Sequence, residues 1–375
     1  MNPLIEVHQF LPALFPRDAV GMHTVATRRV LRDSGMGGQI WAAHRDTSLA
    51  LLARRYDRYP GRPSRSQRLL LYQASTGSEG VVDFLSGRRE PLAVYYHNIT
   101  PPELLEPFDR DGASRARLAR QELHRLAQRA GLWLANSQFS ADELHALGVR
   151  DVLVLPPLTD RRSDAPDPGY LRDLRSDKGG VDLLFVGRVV PHKAHRHLIE
   201  VTALLDASGF HPRLFLVGNP GPPAYMAGLQ RLAAHLGIEA AVHFTGSVGR
   251  TRLEAHYRAA DVFLCFSQHE GFCIPILEAM RCGLPVVAVE AAAVAETLGG
   301  AGVLLSRADP LVAAEVVSRL AADTTLREQL VARQRQRAAD LDGADQAGIL
   351  REALRELAER SGAEAQTAAT IMAAR

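Results

Sequence analysis

Cysteine and lysine are both scarce in this chain. Three cysteines, Cys265, Cys273 and Cys282, stand in 375 residues. An odd number argues against a disulfide framework, and their spacing fits no metal-ligand motif. A reducing cytoplasm is the compartment this predicts. Only Lys178 and Lys193 are lysines among 44 basic residues, a bias toward arginine that base composition alone can produce. Neither sign of charge is in surplus, since 42 acidic residues oppose the 44 basic ones. That balance removes the basic field that marks nucleic-acid binders, so no nucleic acid is expected as a partner. No apolar run approaches the ~18 residues of a membrane-spanning helix. The N-terminus also lacks the basic, apolar and small-residue order of a signal peptide.

What the chain does have is length, a normal apolar fraction of 46% and a repeated alternation. It is too long for one ordinary domain and suits two. In the first half, apolar strands are predicted at 5–10, 39–43, 69–74, 92–97, 132–136 and 152–155. Helices are predicted at 22–34, 79–86, 114–130 and 140–147, the last with Ser140 and Glu143 as a capping box. Residues 159–180 are rich in Asp, Arg, Pro, Gly and Ser and read as a linker. The alternation then restarts, with strands predicted at 181–186, 214–217, 242–245, 262–266, 286–289 and 303–305. Two helices are expected after Pro310, the last at 346–360 and stopped by Ser361-Gly362. Continuous apolar strands alternating with helices imply parallel sheets covered on both faces. The division expected is a domain over 1–165, a linker over 166–180, a second domain over 181–345, and a terminal helix over 346–375.

Ligands of such sheets bind beyond the carboxyl ends of the strands, so chemistry is sought in the loops there. The most telling segment is His269-Glu270-Gly271-Phe272-Cys273-Ile274-Pro275-Ile276-Leu277-Glu278. Pro275 suits the first helical position, where its missing N–H costs nothing. Glu270 then lies in the loop before it and Glu278 about one turn inside. Between the two carboxylates, the N–H groups of residues 271–274 open a helix that favours an anion. Hydroxyls at both ends and phosphate in the middle describe a nucleotide sugar. A second segment, Gly187-Arg188-Val189-Val190-Pro191-His192-Lys193, follows the first strand of the second domain. Gly187 permits a sharp turn, while Arg188 and Lys193 offer a planar fork and a compact charge to a diphosphate. A third, Tyr95-Tyr96-His97-Asn98-Ile99-Thr100-Pro101-Pro102, puts His97 at a strand end, where it can reach a sugar hydroxyl or merely cap the next helix.

These segments resemble the signature of glycosyltransferase family 4, the retaining enzymes of GT-B fold. The resemblance implies an α/β chain with two doubly wound Rossmann-like domains facing an interdomain cleft. It also implies that the terminal helix crosses back onto the first domain. By the same resemblance Glu270 contacts the donor sugar and Glu278 the ribose. Arg188 and Lys193 stabilise the leaving diphosphate, and His97 meets a donor hydroxyl or orients the acceptor. Gly21 lets a helix start approach the diphosphate, although relatives often have two glycines there. The loops carrying Asn219 and Val248 complete the donor site with Gly187, Gly271, Phe272, Cys273 and Ile274. Relatives usually carry a small residue, often glycine, where this chain has Cys273.

The implied activity is a hexose-type transfer from a nucleoside diphosphate sugar, of UDP or GDP, to an acceptor hydroxyl on a sugar, a lipid-linked glycan or a small molecule. Its setting would be bacterial polysaccharide, glycoconjugate or natural-product synthesis. No other cofactor and no metal is expected. A GT-B epimerase would need carboxylates placed for elimination. A catalytically silent nucleotide-sugar binder would not need the full set of four charged residues. An NAD-dependent oxidoreductase would need a placed glycine fingerprint, and Gly35-Met36-Gly37-Gly38 follows a helix, the wrong order for one. Asp109-Arg110-Asp111 reads as a polar turn rather than a manganese motif. His192, His195 and His197 are interleaved with Lys193 and Arg196, whose charge would repel a cation. The basic run Arg54–Arg68, with Tyr56 and Tyr59, reads as a solvated loop, with peripheral contact to anionic lipid or an anionic acceptor as the other reading.

Overall fold

Runs of Val, Leu and Ile in strands demand burial on both faces, and two parallel sheets supply it. A computed structural model of the chain describes residues 5–60, 67–159 and 164–373, with side chains to residue 363. It forms two compact units. The first comprises Met1–Ile99, Ser114–Asp160 and Asp345–Arg375, and the second Thr100–Ala113 and Arg161–Ala344.

The first unit holds β1 (Ile5–Leu14), β2 (Ile40–Arg45), β3 (Ala53–Arg55), β4 (Gln67–Ala74), β5 (Leu92–Tyr96), β6 (Leu132–Ala135) and β7 (Val152–Val154). They pair in parallel in the order β3-β2-β1-β4-β5-β6-β7. The second unit holds β8 (Asp182–Val186), β9 (Arg213–Val217), β10 (Val242–Gly246), β11 (Val262–Cys265), β12 (Val286–Val289) and β13 (Val303–Leu305), ordered β10-β9-β8-β11-β12-β13. Each chain path winds outward from its first strand on one side, then continues on the other. That doubly wound order leaves switch points at β1/β4 and β8/β11, where loops after the strands diverge.

Alternation shows both faces of the second sheet buried. Leu183, Leu216, Leu264 and Val287 enter one core, while Leu184, Phe263, Cys265 and Val286 enter the other with Ile276 and Met280. In the first unit, Val7, Leu69, Leu71, Tyr95 and Leu134 pack with Leu350, Leu354 and Leu357 of the terminal helix.

Several elements differ from the sequence expectation. The short edge strand β3 overlaps the start of the supposed basic loop and β4 takes in its end at Arg68, while residues 61–66 lie outside those described. Tyr59 of that run is buried, its ring edge-on to Phe10 and Trp41, with the Arg88 guanidinium 5.0 Å above it. It is a core residue, not a solvated one. The supposed linker contains the helix Pro168–Ser176, capped by Asp167 and burying Leu174 in the second unit. Residues 160–163 of that stretch lie outside those described. Thr100–Ala113 also belongs to the second unit, where the Phe108 ring meets Tyr225 at 5.1 Å.

The helix Gln138–Ala146 is capped by Ser137, whose hydroxyl accepts from the Ser140 N–H, so Ser140 is not the cap. Glu143 instead accepts from Tyr96 and Asn98. Asp109 caps the helix Arg110–Ala127 through the Gly112 N–H, so Asp109–Asp111 opens a helix rather than a turn. Three helices follow residue 309: Pro310–Ala322, Thr324–Gly343 and Gln346–Ala373. The last runs through Ser361-Gly362. A glycine costs a helix only about 1 kcal/mol unless it turns left-handed, and the alanine-rich flanks outweigh that.

Candidate active site

The loops after β8 and β11 lie side by side at the second switch point, and hydrogen bonds tie them together. The Gln268 N–H donates to the His192 carbonyl at 2.7 Å, which sets the loop before Glu270 against the loop carrying Lys193. Lys193 Nζ donates to Glu270 Oε1 at 2.5 Å, with side chains only 17% and 11% exposed. Burial alone would push the Lys193 ammonium down. The charge and hydrogen bond of Glu270 more than offset it, and the ammonium is held above its ordinary value. Two of the residues singled out from the sequence, 77 positions apart, are thus in direct contact. Arg188 is exposed and makes no ion pair among the described residues. The site therefore has one cation pinned by a carboxylate and one open to a ligand.

Backbone geometry explains the glycines nearby. Gly187 and Gly218 both have φ of 155°. A Cβ on Gly218 would sit 2.1 Å from the Gly187 carbonyl oxygen, so no side chain fits where these loops cross. The exposed Asn219 takes part through its carbonyl, which accepts from the Val189 N–H at 3.0 Å. Val248 packs its side chain against the core of the second unit.

Cys273 begins the helix Ile274–Arg281 with φ of 65°, in the left-handed region. That conformation is why glycine would suit the position, and cysteine there is strained by roughly 1–2 kcal/mol. Gly271 and Phe272 lead into this turn. The Phe272 carbonyl accepts from the buried Thr297 hydroxyl. The half-buried Ile274 is the first helical residue, so Pro275 stands second, still in the turn whose N–H groups need no helical partner.

Glu278 lies one turn further on and accepts from the Tyr257 hydroxyl at 2.8 Å. Burial raises its carboxyl pKa, and the Tyr257 hydrogen bond only partly opposes that. A carboxyl with a raised folded-state pKa favours folding below its unfolded pKa, and that contribution is lost as pH rises through the folded value. At neutral pH, above the unfolded value, that contribution is reduced and the buried carboxyl works against the unliganded fold. Glu278→Gln is expected to raise the melting temperature of the unliganded protein at pH 7. The same change should weaken donor binding about tenfold, or ~1.4 kcal/mol. Calorimetry and melting on one preparation test both, and unchanged donor affinity would remove Glu278 from the site.

Among the described residues one group of three potential metal ligands comes together: Cys265 Sγ, a Glu270 carboxylate oxygen and Cys273 Sγ, within 4.8 Å. The two sulfurs are 3.9 Å apart. The Lys193 ammonium already occupies Glu270, so a metal ion there would have to displace a cation. His192 and His195 are pushed down to about 2 and about 3, by burial first and the Lys193 charge next, and stay neutral.

The first unit presents two predicted residues. Gly21 lies in the first turn of the helix Ala19–Asp33, where its N–H donates to Asp18 Oδ2 at 2.8 Å. That N–H is therefore already satisfied, and by a carboxylate, which does not favour a neighbouring phosphate. His97, after β5, caps no helix. Its Nε2 meets Gln73 Oε1 at 2.7 Å, its ring stacks on Tyr95 at 4.5 Å, and His23 stands edge-on at 4.9 Å. Burial, with His23 beside it, holds the imidazole well below its ordinary pKa. Gln73 Nε2 donates to Gln9 Oε1 at 2.9 Å, and Gln9 Nε2 donates to the Thr24 carbonyl at 3.1 Å. Sequence reasoning passed over both glutamines. The available signal was a glutamine within the buried stretch of each strand, since a buried amide requires partners.

Comparisons with known proteins bear on the family and the fold. Residues 170–337 match the family model described as "Glycosyl transferases group 1". A D-inositol 3-phosphate glycosyltransferase of Actinosynnema mirum is 34% identical over 270 residues, covering 67% of this chain and 64% of that protein. The one from Geodermatophilus obscurus is 35% identical over 209 residues, covering 52% and 46%. A GDP-mannose-dependent alpha-(1-6)-phosphatidylinositol monomannoside mannosyltransferase of Mycolicibacterium smegmatis is 34% identical over 181 residues, covering 45% and 47%. The chain thus spans less than two thirds of the length of each of these relatives. Among solved structures, Anabaena Alr3699/HepE in complex with UDP and glucose matches with a TM-score of 0.75 at 20% identity, over 93% of this chain and 99% of that one. At that identity the likeness speaks to the fold. Family model, curated relatives and fold together support a glycosyltransferase family 4-like assignment, and the fold is that of the GT-B class.

Proposed function

We propose that the chain transfers a hexose-type sugar from a nucleoside diphosphate sugar to an acceptor hydroxyl with retention at the anomeric carbon. The observation that carries this reading is the Lys193–Glu270 pair at the β8/β11 switch point, beside the exposed Arg188. Cations placed there oppose the charge that grows on the diphosphate as the bond from the anomeric carbon to phosphate breaks. The acceptor oxygen bonds to that carbon, and its proton passes to the departing phosphate oxygen. Glu270, held by Lys193, positions sugar hydroxyls and is not assigned as a nucleophile. Glu278 holds the ribose, and His97 meets a sugar hydroxyl. Residues 271–274, with Gly187, Asn219 and Val248, line the donor. Gly21 is a backbone contact at most, since Asp18 takes its N–H.

The relatives' names bear on the substrates. One group is named for D-inositol 3-phosphate and another for GDP-mannose, while the Anabaena structure holds UDP and glucose. UDP- and GDP-sugars are the donors to screen, with inositol phosphates and glycolipids among the acceptors. A nucleotide sugar at about one hundred times its dissociation constant stabilises by ~2.7 kcal/mol, a visible rise in melting temperature. Slow release of sugar from the bound donor without acceptor identifies a live transferase. A donor that binds and is neither hydrolysed nor transferred would leave only a binding protein.

Metal removal gives a separate check. Arg188 and Lys193 supply the positive charge, and Asp109 is engaged as a helix cap. Transfer is expected to continue unchanged in EDTA. A complete loss reversed by manganese would show that these cations do not suffice.

A further inference from the structure

His97 stands at the end of a buried chain of amides that leaves its ring little choice. The chain begins at the Thr24 carbonyl, which can only accept. Gln9 must therefore turn its NH2 group to Thr24, as it does at 3.1 Å. Its carbonyl oxygen is then left to face Gln73, whose NH2 donates to it at 2.9 Å. The Gln73 carbonyl is left in turn to face His97 Nε2 at 2.7 Å. An oxygen that only accepts needs a proton on that nitrogen. Reversing either amide would set carbonyl against carbonyl, or NH2 against NH, inside a core where Gln9 and Gln73 are at most 1% exposed.

The surroundings fix the rest. His23 Nδ1 accepts from the Leu158 N–H at 3.0 Å, so its Nε2 carries a proton and meets the Thr27 hydroxyl at 3.2 Å. Tyr95 lies against one face of the His97 ring. Burial disfavours a charged imidazole at His97, so the neutral ring has a single proton to place.

We propose that Gln9 and Gln73 are positioning residues that lock His97 as the Nε2–H tautomer and leave its Nδ1 lone pair as the acceptor for a sugar hydroxyl. This rests on the proposed function. A lone pair accepts from a hydroxyl and does not donate to a ring or glycosidic oxygen. The locked ring therefore recognises an O–H at a fixed place on the sugar. The other tautomer would present an N–H there and lose that selection.

The test uses the whole chain labelled with 15N-histidine, and long-range proton–nitrogen correlation spectra report the tautomer. His97→Ala assigns the signals. Wild type is expected to show Nε2–H, and UDP-glucose or GDP-mannose, whichever raises the melting temperature, should shift the Nδ1 resonance in the direction of an accepted hydrogen bond. Gln73→Met keeps the volume and removes the acceptor. It should mix the tautomers and lower turnover by on the order of a hundredfold, the scale of a misplaced reacting group. Nucleoside diphosphate affinity should not change. Gln9→Met should do the same to a smaller degree while leaving Gln73 in place. A wild-type ring protonated at Nδ1 overturns the proposal. So does Gln73→Met with an unmixed tautomer and normal turnover per folded molecule, and so does a bound nucleotide sugar that leaves Nδ1 unmoved. If no nucleotide sugar binds at all, the proposed function falls and this inference falls with it, an outcome read from melting alone.

Discussion

Replacing Lys193 with methionine is expected to lower turnover at saturating donor about a thousandfold, or ~4 kcal/mol, the upper range for loss of one preorganised charge at a developing anion. The expectation rests on composition as well as geometry. In a chain that meets nearly every need for positive charge with arginine, one of only two lysines stands at the switch point. The other, Lys178, pairs with Asp261 at 2.7 Å and ties the chain entering β8 to the chain entering β11. A compact ammonium can sit between Glu270 and a phosphate oxygen, where a planar guanidinium would splay its donors. Methionine matches the length of the stem and removes only the charge. The variant should also melt lower without ligand, because Glu270 loses its partner in a half-buried place. The two effects must be separated. Lys193→Arg should restore much of the melting temperature by pairing again with Glu270, and should restore only part of the turnover. If Lys193→Met melts lower yet turns over within a few-fold of wild type per folded molecule, the pair is a structural brace and the site lies elsewhere.

The sheets were readable because both faces of their central strands are buried. Leu183 and Leu184 enter opposite cores, which is what a continuous apolar run requires. Twelve of the thirteen strands among the described residues were found, the outer β7, β10 and β13 from short apolar runs that are only partly buried. The missed one, β3, is an edge strand of three residues, two of them exposed arginines, and carries no apolar pattern. Tyr59 was misjudged for a related reason. Its aromatic neighbours, His8, Phe10, Trp41 and Phe84, come from β1, β2 and the helix Val81–Ser86 after β4, and nothing beside Tyr59 in sequence announces them. At the site, Glu270, Pro275 and Glu278 were legible because helix-start chemistry is local. The contact between Lys193 and Glu270 was not, because it depends on which strands are neighbours. Cys273 lies between these cases. Its departure from glycine was visible, but its reason is a left-handed backbone, which sequence does not display. The glutamine chain to His97 is legible only after β1 and β4 are known to pair, since Gln9 and Gln73 are 64 positions apart.

The largest stability loss is expected at the opposite end of β8 from the active-site loop. Arg213→Ala should destabilise the second unit by roughly 3–5 kcal/mol, the cost of leaving a buried charge without its partner. Asp182 begins β8 with its carboxylate only 1% exposed. Arg213, directly across on β9, holds both its oxygens at 2.7 Å and also donates to the Leu174 carbonyl of the helix Pro168–Ser176. Alanine would strand the carboxylate and that carbonyl together. The guanidinium also lies 5.2 Å over the Phe215 ring, so its stem and plane are packed as well as paired. For a unit of this size the loss corresponds to a fall of about 10 °C in melting temperature. Asp182 and Gly187 are five residues apart in an extended strand, or roughly 17 Å, so the folded variant should keep its nucleoside diphosphate affinity. Asp182→Leu combined with Arg213→Met should recover most of the stability, because a matched apolar pair leaves no charge behind. A loss under ~1 kcal/mol in the single variant would mean that water reaches Asp182 once Arg213 is gone. Failure of the double variant to recover would mean that the bond to Leu174, rather than the ion pair, secures the helix to the sheet.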